Sequence, residues 1–284
     1  MNDSAFPQPL SLGFSPCPND TYIFGALAGG MIATGGLSFD FTIADVEELN
    51  QLALAKKIDV TKVSFGAYLH LCRDYVLLNA GAALGLGVGP LLVAREPIPA
   101  GDFSNMTVAV PGLYTTANLL LGYAFPQIKN RQPVLFSMIE DAVLAGSVDA
   151  GVIIHESRFT YERKGLLKLA DLGELWEEGT GGPVPLGGIV AKRTLPLSVI
   201  AAVEGLIRSS LSFAVKNREA LWPYIQYHAR ESTEDVIQSH IGLYVNQYTE
   251  DLGETGRKAV LTMLQYGVKS GLIPELPADL FRPV

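Results

Sequence analysis

The sequence predicts an α/β fold of two lobes with a cleft between them, and three observations carry that expectation. Short apolar strand signals alternate with helical patterns in two separate blocks, a Pro/Gly/polar stretch divides the blocks, and a second Gly/Pro-rich connection leads into a further strand and a long helical tail. Such alternation is the signature of βα units with parallel strands. At 284 residues the chain is long enough to bury the core of one large domain or of two compact lobes.

In the first block, "LSLGFS" precedes a helix expected from about Thr21, and "LSFDFTIAD" precedes "VEELNQLALAKK", whose apolar residues recur at helical spacing. "IDVTKVS" then leads into "FGAYLHLCRDY", and "YVLLNAGAALG" runs up to "GPLLVARE". The stretch "REPIPAGDFSN" has linker character. Beyond it the pattern restarts: "MTVAVPG" before "LYTTANLLLGYAFP", "PVLFS" before "MIEDAVLAGS", then the strand signal "VDAGVIIHE". "EEGTGGPVPLGG" connects to the strand "GGIVAKR" and to a mostly helical tail from Leu197. The chain is therefore expected to cross lobes near Pro97 to Asn105 and to return near Gly181 to Gly188. Residues 1–97 and 187–284 would form a larger lobe, and residues 98–186 a smaller one.

Two α/β lobes joined by two crossings describe a periplasmic-binding-protein-like (type II) fold, which binds a small molecule between lobes that close by hinge motion. At the carboxyl ends of parallel strands the helix N-termini gather, so unpaired N–H groups and positive dipole ends face one crevice. A small carboxylate is the natural guest. The formal net charge of −8 leaves no basic stripe for nucleic acid. Only Cys17 and Cys72 occur, which gives no disulfide framework, and no metal site is evident because His70, His228 and His240 lack ligand spacing. The N-terminal residues offer no basic, then apolar, leader, and the apolar run from Tyr75 to Ala94 is broken by Asn79, glycines and Pro90, so neither export nor a membrane span is expected. A cytoplasmic monomer or homodimer is the expectation.

Four strand-to-helix junctions or strand ends carry the candidate chemistry. In "SPCPNDT", one of Asn19, Asp20 and Thr21 could cap a helix, while Ser15, Asn19 and Thr21 could face the cleft; Cys17 has no basic residue near it in sequence to activate a thiol. In "TKVSFGAY", Lys62 and Ser64 at a helix start suit an anion, although a solvated lysine is the ordinary alternative. In "PGLYTTANLL", one helix cap explains one threonine, and Thr115 with Thr116 makes an anion or hydroxyl site. In "VIIHESRFTY" His155 ends an apolar run, for which a bonded structural histidine is the ordinary alternative, but the strand should deliver it to the cleft, where an ordinary pKa of about 6.5 suits proton transfer. Glu156, alternating away from it, is the second candidate base. "GALGLGVG" lacks the Walker spacing, and no GxSxG elbow occurs.

Taken together, "SPCPNDTY", "TKVSFGAY", "PGLYTTA", "DAGVIIHESRFTY" and "LPLGGIVAKR" resemble, in order and interval, the 1,4-dihydroxy-6-naphthoate synthase family of the futalosine route to menaquinone. The resemblance is strongest from Leu12 to Arg193. It implies a cytosolic, cofactor-independent lyase that acts on cyclic dehypoxanthine futalosine. It also implies His155 as proton acceptor, with substrate-binding stretches at Lys62, Val63 and Ser64 and at Thr115 and Thr116. The family often has glycine where this chain has Ser157, a departure that leaves His155 intact. The nearest rivals are chorismate dehydratase of the same pathway, which would share the fold, and a cytosolic small-carboxylate-binding protein.

Overall fold

A computed structural model describes residues 8–98, 103–155, 157–229 and 233–282. In the first block β1 (Leu10–Phe14) runs into α1 (Pro18–Ala28), β2 (Phe39–Ile43) into α2 (Val46–Leu54), and β3 (Val60–Ser64) directly into α3 (Phe65–Leu71). Three short strands follow: β4 (Tyr75–Leu77), β5 (Ala83–Gly85) and β6 (Leu91–Ala94). The second block holds β7 (Thr107–Val110), α4 (Thr116–Ala124), β8 (Asn130–Pro133), α5 (Ile139–Leu144) and β9 (Ala150–Ile153). It continues with the single turn α6 (Ser157–Thr160), β10 (Leu167–Asp171) and α7 (Leu172–Thr180). The chain ends with β11 (Val184–Lys192) and helices α8 (Leu197–Lys216), α9 (Arg218–His228), α10 (Glu234–Tyr244), α11 (Gln247–Glu250) and α12 (Gly253–Lys269).

Two sheets result. The first has the order β2-β1-β3-β11-β4, with β5 also pairing with β11; the second has the order β10-β6-β9-β7-β8. β1, β2 and β3 are parallel, as are β7 with β8 and β9, which is what the βα units demand. The strands next to the crossings run the other way: β11 is antiparallel to β3, and β6 to β9. The second sheet thus takes up Leu91–Ala94, ahead of the passage expected at Pro97 to Asn105, because those residues pair with both β9 and β10. Residues 99–102 of that expected passage lie outside the described residues.

Local chemistry explains the elements. All five residues of β3 are buried, as a central strand with helices on its flanks requires, whereas β2 at the edge is half-exposed. Helix α1 starts three residues before the expected Thr21, with Pro18 in its first turn where a missing N–H costs nothing, and it is buried on almost every side. "PVLFS" is not a strand. The sheet edge is the polar segment Asn130–Pro133, and Phe136 turns inward on a 3-10 turn to bury its ring.

Helix α8, 20 residues with a mean hydropathy of 1.4, is the one helix among the described residues long and apolar enough to cross a membrane. Here its Ile200, Val203, Ile207 and Ala214 pack in one buried cluster with Phe24 and Leu27, and Ser210 Oγ accepts the Leu27 N–H at 3.2 Å. Those contacts are those of a core helix.

Candidate active site

The carboxyl ends of β1, β3, β7 and β9 converge on a cavity of about 90 Å³ between the sheets. The first lobe contributes Ser15, Asn19 and Asp20 after β1 and Lys62, Val63 and Ser64 at the end of β3. The second lobe contributes Thr115, Thr116 and Ala117 at the start of α4 and Ile154 and His155 after β9. Leu186 and Gly187 close it along β11, and Tyr244 of α10 closes it from the helical tail. All but one of the candidate ligand-binding residues read from the sequence therefore line this space.

The exception is Thr21, which is fully buried within α1. Its hydroxyl donates back to the carbonyls of Cys17 and Pro18, each at 3.2 Å, and it does not line the cavity. The reason is the early helix start: Cys17 is the residue before the helix, so Thr21 falls inside the second turn instead of at the mouth. Asn19, Asp20 and Thr21 are thus not helix caps, and Cys17 is a buried thiol away from the cavity lining.

The polar residues of the first wall bond mainly to one another. Asp20 accepts the Ser15 N–H (3.1 Å) and hydroxyl (2.7 Å) on Oδ2, and the Asn19 amide (2.9 Å) and Lys62 ammonium (2.9 Å) on Oδ1. These four donors occupy the lone-pair directions of a carboxylate, so Asp20 is committed to the wall. Lys62, 5% exposed, also donates to the Gly81 carbonyl at 3.0 Å. Its charge is thereby spent on Asp20, and a bound anion would meet a neutral pair. Ser64 is different: its N–H goes to Asn50 Oδ1 (3.0 Å) and its Oγ only accepts, at 3.5 Å from Asn50 Nδ2.

Where the lobes touch, Thr116 Oγ donates to the Leu186 carbonyl (2.6 Å) and accepts the Gly66 N–H (3.2 Å). A Cβ on Gly66 would lie 2.6 Å from the Thr115 carbonyl oxygen, so only glycine permits this approach. Thr115 caps α4: its hydroxyl accepts the Asn118 N–H (3.2 Å) and donates to the Gly112 carbonyl (2.7 Å). With both hydroxyls engaged, the chemistry left at this turn is the set of backbone N–H groups that every helix start leaves unused. Glu47 of α2 reaches the same junction, held by Asn50 (3.1 Å), Gln51 (3.0 Å) and the Tyr114 backbone, while burial pushes its carboxyl up from the ordinary value.

His155 sits two residues past β9 with φ 57°, in the left-handed region. That conformation costs an L residue about 1–3 kcal/mol and persists only where surroundings enforce it. Phe136 supplies an edge at 5.1 Å, and His240 of α10 lies parallel to the ring at 6.0 Å with 14° between planes. The following turn is anchored on its far side. Ser157 Oγ (2.9 Å) and Lys164 Nζ (2.7 Å) donate to buried Glu140, and Arg158 bonds to Asp171 (2.6 Å) and to the Gly89 carbonyl. Glu156, the second candidate base, lies outside the described residues.

Two residues escaped the sequence reading, Asn50 and His240, both fully buried. Each left a trace there. Asn50 interrupts the apolar stripe of "LNQLAL", and His240 occupies one position of the stripe Val236, Ile237, Ile241, Tyr244. A polar group at such a place must bond inside the protein. His240 does so through Nε2, 2.9 Å from Asn19 Oδ1, and burial together with neighbouring His155 holds its pKa well below the ordinary imidazole value. Among the described residues no cluster of three or more His, Cys, Asp or Glu could hold a metal ion.

Comparison with known proteins gives this cleft a context. A family model described as menaquinone biosynthesis matches residues 10–269. The 1,4-dihydroxy-6-naphthoate synthase of Thermus thermophilus is 43% identical over 274 residues, 96% of this chain and 99% of that protein. The synthase of Streptomyces coelicolor is 42% identical over 275 residues, 95% of this chain and 96% of that protein. Among solved structures, a protein from Archaeoglobus fulgidus superposes with a TM-score of 0.87 at 33% identity, covering 96% of this chain and all of that one. The alkanesulfonate-binding protein of Xanthomonas axonopodis, at 13% identity, superposes with a TM-score of 0.73 over 98% of both chains. The last likeness establishes the periplasmic-binding-protein fold alone.

Proposed function

The chain belongs to the menaquinone-biosynthesis family, and on that premise we propose that it converts cyclic dehypoxanthine futalosine to 1,4-dihydroxy-6-naphthoate with His155 as general base. It is an enzyme of that pathway, a lyase like the synthases it matches. The observation that carries the base assignment is the placement of His155: a half-buried imidazole on the cavity wall, held in a strained backbone conformation by packing on both sides. Strain retained at a histidine that lines the cavity supports a residue kept for position.

The chemistry asked of the site is modest and specific. A proton must leave carbon, a carbon–carbon bond must open, and the new ring must aromatise. The His155 imidazole is the group on the cavity wall suited to take the proton and return it. Ser64 and the backbone N–H groups at the start of α4 are suited to hold the substrate carboxylate or sugar oxygens, since Lys62 is already neutralised. Contact between the lobes through Thr116 and Gly66 would keep water from the reacting centre.

The test has two parts. Purified protein incubated with cyclic dehypoxanthine futalosine should develop naphthoate absorbance; tight binding without product would mark it as a binding protein, and turnover of chorismate instead would mark it as the dehydratase. His155→Asn should then lower kcat by about 10²–10⁴-fold, the usual span for general base catalysis, with substrate affinity retained. Near-normal turnover in that variant would remove His155 from the mechanism.

A further inference from the structure

We propose that His240 is a positioning residue for His155: a neutral imidazole of fixed tautomer, presented by the first lobe, against which the second-lobe base is stacked. This deepens the reading of His155 as the base and rests on it. The argument starts from hydrogen-bond polarity. Lys62 can only donate and the Asp20 carboxylate it pairs with can only accept, so the group 2.9 Å from Asp20 Oδ1 on Asn19 must be the amide NH2. The Asn19 carbonyl oxygen therefore faces His240, and the His240 nitrogen 2.9 Å away must carry a proton. Lys62, Asp20 and Asn19 thus dictate the Nε2–H tautomer of His240.

Burial then dictates its charge. His240 is wholly enclosed, with Tyr244 tilted against it at 4.6 Å, and burial penalises the cation. That matters because the His155 ring is parallel to it at 6.0 Å. A base that gains a proton becomes an imidazolium, and a second imidazolium at that distance would oppose it. A neutral ring offers a flat face instead and sets the plane in which His155 meets the substrate. The stack also crosses the cleft, since His155 follows β9 of the second sheet while His240 lies on α10, which packs on α1 of the first. His155 is therefore held in this way only when the lobes are together.

The experiment uses the whole protein with cyclic dehypoxanthine futalosine as probe. His240→Gln keeps an N–H for Asn19 and removes the ring; His240→Phe keeps a ring and removes the N–H. For His240→Gln, kcat should fall about 10–100-fold, the range typical of groups that orient a reactive ligand from behind, with KM within about 3-fold of wild type. His240→Phe should recover a major part of that loss, because the stacking face is kept. A folded His240→Gln enzyme with kcat within about 2-fold of wild type overturns the proposal, as does equal loss in both variants.

Should either variant fail to fold, nitrogen-15 NMR of the wild-type protein decides. His240 should give the neutral Nε2–H signature throughout the pH range of about 5–8 in which an ordinary histidine changes charge, and a proton on Nδ1, or protonation of His240 within that range, overturns the proposal. His155→Asn separates the two readings: if it retains turnover, the base assignment fails whatever His240 does, whereas a dead His155→Asn enzyme beside a fully active His240→Gln enzyme refutes the positioning role alone.

Discussion

On the first-lobe wall of the cleft, Ser15, Asn19, Asp20 and Lys62 bond to one another and are at most 6% exposed. On the second-lobe wall, His155 is half-buried, carries a left-handed backbone and is steadied by ring contacts. The first wall turns its polar groups on one another, and the second brings an imidazole to the cavity lining on a left-handed turn. The difference teaches that polarity along a cleft is poor evidence of ligand contact by itself. Lys62 and Asp20 would each be a candidate on residue type, yet they pair with each other, and Asp20 also holds the Asn19 amide whose oxygen faces His240.

The largest test of that contrast is Lys62→Met. If the first wall is a closed network, the variant strands a buried carboxylate and should lose about 3–5 kcal/mol of stability in chemical denaturation, with Asp20→Asn in the same chain restoring part of it. A stable variant whose only defect is a raised KM would show that Lys62 serves the ligand and would break the comparison.

A smaller effect follows from His240. Its folded-state pKa is depressed below the ordinary 6.5, so between those two values the unfolded chain binds the extra proton. Its contribution to stability is present above about pH 6.5 and is lost as the pH falls below it, at up to about 1.4 kcal/mol per pH unit. Urea titrations of wild type and His240→Gln between pH 7 and pH 5 should differ in slope, with the variant flatter. Parallel slopes would mean that the first wall tolerates a cation there.

The smallest effect belongs to Thr21. Thr21→Val removes a hydroxyl that bonds only to carbonyls of its own helix, while Cys17 O keeps the backbone N–H groups of Asp20 and Thr21 at 3.0 Å. It should cost no more than about 1 kcal/mol and leave KM unchanged within about 2-fold. A large rise in KM would put Thr21 back in the cleft.

Much of the architecture was legible because hydrophobic period reports which face of an element is buried. The βα alternation located β1, β3, β7 and β9, and the strand ends located the candidate site, including the turn that carries His155. Pairing was not legible. Nothing in the spacing of Asp20 and Lys62, 42 positions apart, says that one neutralises the other. Nor does an apolar run announce its partner: Leu91–Ala94 joined the second sheet because β9 and β10 offered it two edges. The helix start at Pro18 was obscured by a proline-flanked turn, and that shift of three residues moved Thr21 from the mouth to the interior. Asn50 and His240 announced themselves only as polar residues in apolar stripes, a sign that such a residue bonds somewhere without saying where.

The φ of 57° at His155 also governs which replacements can be interpreted. Asparagine and glycine enter the left-handed region readily, so they remove the imidazole while letting the chain follow its native path. A β-branched residue resists it, and the path from β9 into the turn held by Ser157 and Arg158 would have to change. An inactive valine variant would therefore report a displaced loop as readily as a missing base. The backbone at this one residue decides which amino acid makes a fair control.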